Sequence, residues 1–214
     1  MDYVDRNIKS ELDNNSFFRS PEFQELLKRV DGHTVMGSNK LIFVYEISLN
    51  YKDEPMAEVG VYKGGSAYII ANNCEKEVYL IDTFTGLPKV SEYDKHKEGD
   101  FRNVDYIEVC NYLEPFKNVK ILEGLFNERK NDIPETEFGF VHLDVDIYEA
   151  TKECLEYFYP KIRNGGSILI DDYDSSATEG CKKAVGDFFE NRKEHCITLG
   201  TTQGLIIINK EDEK

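Results

Sequence analysis

The segment 138–173 constrains the fold of this chain more than any other. Two short apolar runs in it, Phe138–Leu143 and Ser167–Ile170, are each followed by two aspartates. Between the runs lies Glu149–Tyr157, whose apolar residues recur at helical spacing. A strand, a helix and a second strand within about 30 residues form a βαβ unit, whose strands are parallel and usually neighbours. The segment therefore predicts an α/β protein with a largely parallel sheet.

The aspartates of this segment are Asp144 and Asp146 after the first run, and Asp171 and Asp172 after the second. Neighbouring strands lie about 4.8 Å apart, so these side chains converge at the carboxyl edge of the sheet, where open α/β sheets bind ligands. Crowded carboxylates must hold a cation or shift their pKa values. We therefore predict a divalent cation on Asp144, Asp171 and Asp172, which offer hard oxygen ligands. Asp146 can instead cap the helix that starts near Tyr148.

The rest of the chain predicts five more strands. They are expected at Met56–Val61, Glu77–Ile81, Val119–Leu122, Cys196–Leu199 and Leu205–Ile208. The short link 200–204 between the last two implies an antiparallel hairpin. Within the opening segment, Asn164-Gly165-Gly166 is interpreted as the stop of the helix. The pattern as a whole predicts a seven-stranded, mostly parallel sheet with a C-terminal antiparallel hairpin.

The first 50 residues are predicted to be helical and separate from the part of the chain that follows. Ser20 is placed as the N-cap of one helix, and a second is expected to begin at Ser38. We therefore divide the chain into an N-terminal helical extension, 1–50, and a main domain, 51–214. The pattern leaves open whether these helices pack on the sheet, cover a pocket or form a dimer surface.

A glycine-containing turn follows the first predicted strand, with Gly60 at its start and a helix predicted from Ser66. Glycines at such a turn let a ligand approach the backbone, and the helix N-terminus offers free N–H groups. Asp82 ends the second strand about 20 residues later, a position suited to binding the ribose hydroxyls of a nucleoside-type cofactor. Either signal alone is also typical of an ordinary structural turn. Together they favour a nucleoside-binding edge.

Composition excludes several partners. The chain has 41 acidic and 26 basic residues, a net charge of −15, which repels nucleic acids and anionic membranes. The longest apolar run is too short to cross a bilayer, and the acidic, polar N-terminus does not read as a signal peptide. The five cysteines are scattered without a CxxC pair. Free thiols of this kind are typical of the reducing cytoplasm, where we expect this protein.

The segment 89–103 is polar and lacks periodicity. Long loops of this kind in compact domains are often lids over a site. The segment contains His96. A loop histidine is usually only solvated, but it can also accept a proton if the loop closes over a substrate.

Six ordered motifs carry a more specific resemblance. They are AEVGVYKGGS (57–66), IDTFTGLP (81–88), HKEGDF (96–101), LDVDIYEAT (143–151), IDDYDS (170–175) and GCKKAVGDFF (180–189). Over roughly residues 55–209 the chain resembles the macrocin O-methyltransferase family. The resemblance implies the Rossmann-like class I fold of S-adenosylmethionine-dependent methyltransferases and methylation of a hydroxyl on a sugar or a sugar-containing molecule. It also implies a homodimer.

The resemblance also implies roles for particular residues. The methyl donor is expected to contact Gly60, Ser66, Asp82, Thr83 and Gly124, with Glu58 supporting its methionine end. Mg²⁺ is expected on Asp144, Asp171 and Asp172. The base that removes the acceptor proton is either His96 or Asp144. The acceptor itself is not readable: an antibiotic, a nucleotide sugar and a surface glycan precursor all fit.

Two other functions are compatible with parts of the sequence. Tyr148 and Lys152 have the YxxxK spacing of NAD(P)-dependent short-chain oxidoreductases, although the first turn lacks the dinucleotide-binding glycine pattern. A non-catalytic nucleoside-binding domain is the second alternative. The intact acids at both strand ends argue against it.

Overall fold

A computed structural model describes residues 14–210 of the chain; residues 1–13 and 211–214, including most of the segment assessed for a signal peptide, lie outside the described residues. The strands are β1 (Met56–Val59), β2 (Val78–Asp82), β3 (Val119–Glu123), β4 (Phe138–Leu143), β5 (Ile162–Ile170), β6 (Ile197–Thr198) and β7 (Gly204–Ile207). They form one seven-stranded sheet in the order β3-β2-β1-β4-β5-β7-β6. Strands β1 to β5 are parallel, whereas β7 pairs antiparallel with both β5 and β6. The predicted sheet and its terminal hairpin are confirmed.

Seven helices are described between residues 14 and 210, in addition to short 3₁₀ turns. They are α1 (Pro21–Val30), α2 (Ser38–Leu49), α3 (Gly65–Asn73), α4 (Tyr106–Leu113), α5 (Phe126–Arg129), α6 (Tyr148–Phe158) and α7 (Glu179–Phe189). Helices α1 to α4 pack on one face of the sheet, and α5 to α7 pack on the other. Each face has its own buried apolar cluster, as expected for alternating side chains on buried strands.

The helices of the N-terminal region pack directly on the sheet. Ser20 caps α1, its hydroxyl accepting a hydrogen bond from the amide of Phe23 at 3.1 Å, as predicted. Phe23 of α1 and Ile42 of α2 share one buried cluster with Phe140 of β4. Both helices thus contribute to the main core, while the proposed boundary at residue 50 stays a prediction. None of the helices described between residues 14 and 210 is long and apolar enough to cross a membrane.

The turn between α6 and β5 differs from the expectation. The helix ends at Phe158 and is followed by a 3₁₀ turn, Tyr159–Lys161, that contains Pro160. Asn164-Gly165-Gly166 therefore lies inside β5 and does not stop the helix. The strand register shifts at this point, and Gly165 takes a positive φ of 76°. The glycines accommodate an irregularity in the strand, which sequence alone does not distinguish from a helix stop.

Candidate active site

A cavity of about 300 Å³ opens at the carboxyl ends of β1, β2, β4 and β5. It has two halves, which we name after their chemistry. The glycine half contains Gly60, Asp82, Thr83 and Gly124, and the acid half contains Lys40, Asp144, Asp146, Asp171 and Asp172. This is the edge at which open α/β sheets bind ligands, and its size is at the lower end of that of small-molecule sites.

Gly60 joins the two halves through the backbone. Its φ is +88°, and a Cβ added there would lie 1.8 Å from the carbonyl oxygen of Asp144. Its own amide donates to the carbonyl of Ile81 at 3.0 Å. Only glycine fits this contact, because the obstruction is a main-chain atom and the backbone conformation disfavours side chains.

Asp82 holds the turn that follows β1. Its Oδ2 accepts hydrogen bonds from the amides of Val61 at 2.6 Å and Tyr62 at 2.8 Å, while its Oδ1 accepts from the amide of Phe84 at 2.7 Å. Each carboxylate oxygen has two acceptor positions. Oδ2 is therefore fully used, and Oδ1 keeps one position for a ligand. The predicted ribose contact is thus limited to a single hydrogen bond to Oδ1, in addition to a structural role that the sequence did not reveal.

The acid half brings together the aspartates predicted from the βαβ unit. One carboxylate oxygen each from Asp144, Asp171 and Asp172 lies within 4.8 Å of the other two. Asp146 lines the same cavity. The convergence expected from neighbouring parallel strands is therefore present in the structure.

Lys40 also lies in the acid half, which the sequence did not predict. Its ammonium is 2.7 Å from Oδ2 of Asp171 and 2.8 Å from Oδ1 of Asp172. The residue belongs to the first turn of α2, where the positive end of the helix disfavours a cation. The two carboxylates offset that cost. The only sequence signal for Lys40 was a lysine at the wrong end of a predicted helix.

The remaining contacts of the β5 acids hold their side chains in place. Oδ1 of Asp171 accepts a hydrogen bond from Nε2 of Gln203 at 2.9 Å. Oδ1 of Asp172 accepts a second hydrogen bond, from the hydroxyl of Thr202, at 3.2 Å. Both partners come from the β6–β7 hairpin. The C-terminal hairpin therefore orients the carboxylates at the end of β5.

One ammonium does not neutralise this cluster. Burial and the neighbouring Asp171 raise the pKa of Asp144 well above its usual value. Burial and Asp172 raise the pKa of Asp146 to about 8. Burial also raises the pKa of Asp171, although Lys40 opposes the rise. Burial by itself lowers the pKa of Lys40, but Asp171 and Asp172 outweigh it and raise that pKa, so Lys40 stays protonated.

The acid half fits a divalent cation by its chemistry. It offers three clustered carboxylate oxygens, the donors preferred by Mg²⁺. Burial raises the pKa values of Asp144 and Asp171, and a bound cation would favour their charged forms. Asp144, Asp171 and Asp172 are the residues that would hold the ion.

Asp146 does not cap the helix after β4. The first amide of α6, that of Tyr148, donates to Oδ1 of Asp94 at 2.9 Å. Asp94 belongs to the polar segment 89–103 and also binds Ser91 through its other oxygen. A Cβ on Gly180 would lie 2.1 Å from this carboxylate. The loop is therefore fastened across the start of α6, and Asp146 is left free to face the cavity.

Backbone strain is concentrated around the cavity. Tyr62, Phe101 and Asp146 line it and have φ values of 49°, 63° and 60°. Such conformations are uncommon for residues other than glycine and cluster at functional sites.

Three predicted site residues are not among those that line the cavity. Glu58 is fully buried on β1, where its Oε1 lies 2.7 Å from Nδ1 of the neighbouring His142. Ser66 is buried in the first turn of α3. His96 lies 3.3 Å from Asp100, and its ring packs on Phe101, which does line the cavity. His96 is therefore next to a lining residue without lining the cavity itself.

The structure does not support the oxidoreductase alternative. Tyr148 donates its hydroxyl to Asp187 at 2.9 Å on the exposed side of α6. Neither Tyr148 nor Lys152 is among the described residues that line the cavity. A YxxxK pair would have to face the reacting substrate.

The sheet order, the glycine turn after β1 and the cavity at the strand ends define a Rossmann-like class I methyltransferase fold. The solved O-methyltransferase NovP has this fold: the two structures superpose with a TM-score of 0.73 at 23% identity, over 83% of each chain. At the level of sequence, residues 31–199 match the model of the Macrocin-O-methyltransferase (TylF) family. The chain belongs to this family. The match begins before α2 and therefore includes Lys40, in a region where the sequence motifs had shown no resemblance.

Two curated relatives illustrate the family. The chain is 28% identical over 151 residues to the 8-demethyl-8-(2,3-dimethoxy-alpha-L-rhamnosyl)-tetracenomycin-C 4'-O-methyltransferase of Streptomyces olivaceus, covering 62% of this chain and 57% of the relative. It is 24% identical over 188 residues to the demethyldecarbamoylnovobiocin O-methyltransferase of Streptomyces niveus, covering 74% of this chain and 68% of that relative. The match thus spans little more than half the length of the first relative.

Proposed function

We propose that this chain is a metal-dependent O-methyltransferase that transfers the methyl group of S-adenosylmethionine to a hydroxyl of a sugar-containing small molecule. The observation that carries the proposal is the single cavity with two unlike halves. A glycine turn and a strand-end aspartate suit a nucleoside-type donor, and a cluster of three carboxylates beside them suits a cation. Membership of the macrocin O-methyltransferase family and the names of the two relatives support the reaction and the acceptor class.

The glycine half would bind the donor. Gly60 and Gly124 present main-chain atoms at the cavity wall, and both have positive φ values, of 88° and 139°. The remaining acceptor position of Asp82 suits one ribose hydroxyl, and Thr83 adjoins it. When bound, S-adenosylmethionine supplies an electrophilic methyl group on a positively charged sulfur. The enzyme must then mainly align the acceptor oxygen with that methyl group.

The acid half would prepare the acceptor. Asp144, Asp171 and Asp172 would hold the divalent cation, which as a Lewis acid lowers the pKa of a hydroxyl bound to it. The hydroxyl proton must leave, and either Asp144 or His96 would take it. Asp144 is already in the cavity, whereas His96 needs a movement of Phe101 and the 89–103 loop. The structure therefore favours Asp144 by position.

Ligand-dependent unfolding temperatures test this function. We expect S-adenosylmethionine to raise the unfolding temperature and NAD to leave it unchanged. Product release measured across a panel of glycosylated acceptors, with and without EDTA, tests the reaction and the metal. Stabilisation by NAD and not by S-adenosylmethionine would favour an oxidoreductase. Full activity in EDTA would contradict the proposed metal dependence.

One variant, His96→Ala, distinguishes the candidate bases. If Asp144 is the base, His96→Ala retains most of its turnover. If His96 is the base, the variant loses turnover without losing Mn²⁺ binding, which electron paramagnetic resonance measures directly.

A cytoplasmic homodimer completes the proposal. All five cysteines are free, which supports a reducing compartment, and sedimentation velocity tests the dimer.

A further inference from the structure

The ammonium of Lys40 is bound by two of the three acids that would hold a divalent cation. It contacts one oxygen of Asp171 and one of Asp172, at 2.7 and 2.8 Å. These are the short distances of charge-assisted hydrogen bonds. Both acids belong to the three residues whose oxygens converge for a metal. A metal ion on the same carboxylates would lie only a few ångströms from the ammonium and would repel it.

The other hydrogen bonds that the two carboxylates accept from the hairpin are made to their Oδ1 atoms. Gln203 occupies Oδ1 of Asp171, and Thr202 shares Oδ1 of Asp172 with Lys40. The hairpin thus holds both carboxylates from one side while Lys40 holds them from the other. An incoming ion gains access to the lysine side more readily, because Lys40 extends from the cavity wall on a flexible four-carbon stem.

We propose that Lys40 is an internal counter-cation of the metal site: it holds Asp171 and Asp172 in the metal-free protein and leaves them when the divalent cation binds. The inference rests on the proposed metal dependence and adds a positioning residue to it. Lys40 holds the carboxylates of Asp171 and Asp172 in place without a metal, and it lowers metal affinity by direct competition. Because Lys40 lies in the first turn of α2 and lines the cavity, its release also moves a side chain at the cavity wall.

Mn²⁺ binding tests the competition. Titrations followed by electron paramagnetic resonance compare the unaltered chain with Lys40→Gln and with the control Lys63→Gln. Lys63 packs on the ring of Tyr62, at the cavity, so its loss removes one positive charge nearby without freeing an acid of the cluster. We expect Lys40→Gln to bind Mn²⁺ about tenfold more tightly than the unaltered chain, the size of coupling typical of groups in contact. The Mn²⁺ affinity of Lys63→Gln should differ from that of the unaltered chain by less than about threefold.

A second measurement follows Lys40 in the unaltered chain and does not depend on how a variant folds. Lysines are acetylated briefly with and without Mg²⁺, and each site is quantified by mass spectrometry. We expect Mg²⁺ to raise the labelling of Lys40 about fivefold or more, because its charged partners no longer protect it. Lys182, which pairs with Asp174 on the surface, serves as the internal reference and should not change.

The outcomes separate this inference from the proposed function. Mn²⁺ binding by the unaltered chain with Lys40 still protected, or equal tightening in Lys40→Gln and Lys63→Gln, overturns the displacement and leaves the metal role intact. Failure of both the unaltered chain and Lys40→Gln to bind Mn²⁺ overturns the metal role and this inference together. Mn²⁺ binding by Lys40→Gln but not by the unaltered chain would support the proposal, because Lys40 would then prevent metal binding completely.

Discussion

The two halves of the cavity are built in opposite ways. In the glycine half, main-chain amides and the Asp82 carboxylate satisfy one another, and the side chains that matter come from consecutive strand ends. In the acid half, four carboxylates face one ammonium, and the pKa values of Asp144 and Asp146 are raised by burial and by their neighbours. The carboxylate of the first half is held by main-chain amides, whereas the carboxyl groups of the second outnumber the one ammonium that contacts them.

This difference assigns different tasks to the two halves. A satisfied hydrogen-bond network fixes geometry and costs stability when one member is removed. A charge-rich cluster is tolerated because it binds something, and its neutralisation can relieve strain in the unliganded protein. Substitutions in the glycine half should therefore act on folding. Substitutions in the acid half should act on turnover and leave stability unchanged or improved.

The largest effect is expected from Gly60→Ala. The new methyl group would collide with the carbonyl of Asp144, and the positive φ adds strain. We expect a loss of about 3 kcal/mol or more in the free energy of unfolding, measured by urea titration of the far-ultraviolet circular dichroism. Gly186→Ala is the matched control: its Cβ would meet nothing within 4 Å, and it lies in α7. A loss of stability in Gly60→Ala no larger than that in Gly186→Ala would contradict the idea that the glycine half fixes the fold.

Asp171→Asn should act on activity and not on folding. We expect turnover to fall at least about a hundredfold, since losing a metal ligand costs no less than losing its supporting partner. Calorimetric affinity for S-adenosylhomocysteine should change little, because the donor is assigned to the other half. Asp174→Asn, on the surface of the same segment, controls for a lost charge. Equal loss of donor affinity would show that the two halves are not independent.

Asp146→Asn should make the stability of the metal-free protein less dependent on pH. The folded protein holds the Asp146 proton up to about pH 8, whereas an unfolded chain releases it near pH 4. The stability that this proton provides is therefore complete below about pH 4 and is lost as the pH rises through about 8. Relative to the unaltered chain, the variant should gain on the order of 1 kcal/mol for each pH unit between about pH 5 and pH 7. Urea unfolding in EDTA measures this gain, and a pH-independent difference would contradict it.

The smallest effect is expected from Asp94→Ala, which removes the acceptor for the first amide of α6. Loss of such a cap costs about 1 kcal/mol. It should also raise the KM for the acceptor, because the 89–103 loop loses its anchor, while donor affinity is unchanged. Asp94→Asn keeps an oxygen at this position, so its stability and its KM for the acceptor should lie close to those of the unaltered chain. An unchanged KM in Asp94→Ala would mean that the loop does not contribute to acceptor binding.

The sequence predicts the strand-end residues of both halves, for a physical reason. The strand ends, the turn at Gly60 and the grouping of Asp144 with Asp171 follow from local periodicity and from the rule that parallel strands end at one edge. The C-terminal hairpin was also predictable from the sequence, because a short link between two strands permits only antiparallel pairing.

The missed features depend on contacts that no local pattern encodes. Lys40 meets Asp171 across 131 positions of the chain. Asp94 replaces Asp146 as the helix cap across 54 positions, because a loop without periodicity carries no sign of where it packs. Asp82 was correctly placed at the end of its strand, but its three backbone partners could not be read from its position.

The contact between Gly60 and the Asp144 carbonyl has a practical consequence for engineering. It couples the donor turn rigidly to the strand that carries the acids, so both shift together or not at all. If the surrounding loops select the acceptor, they can be exchanged between related enzymes without realigning the two halves of the cavity. Chimaeras that replace 89–103 while preserving Asp94 and Gly180 would test this with new acceptors for methylation.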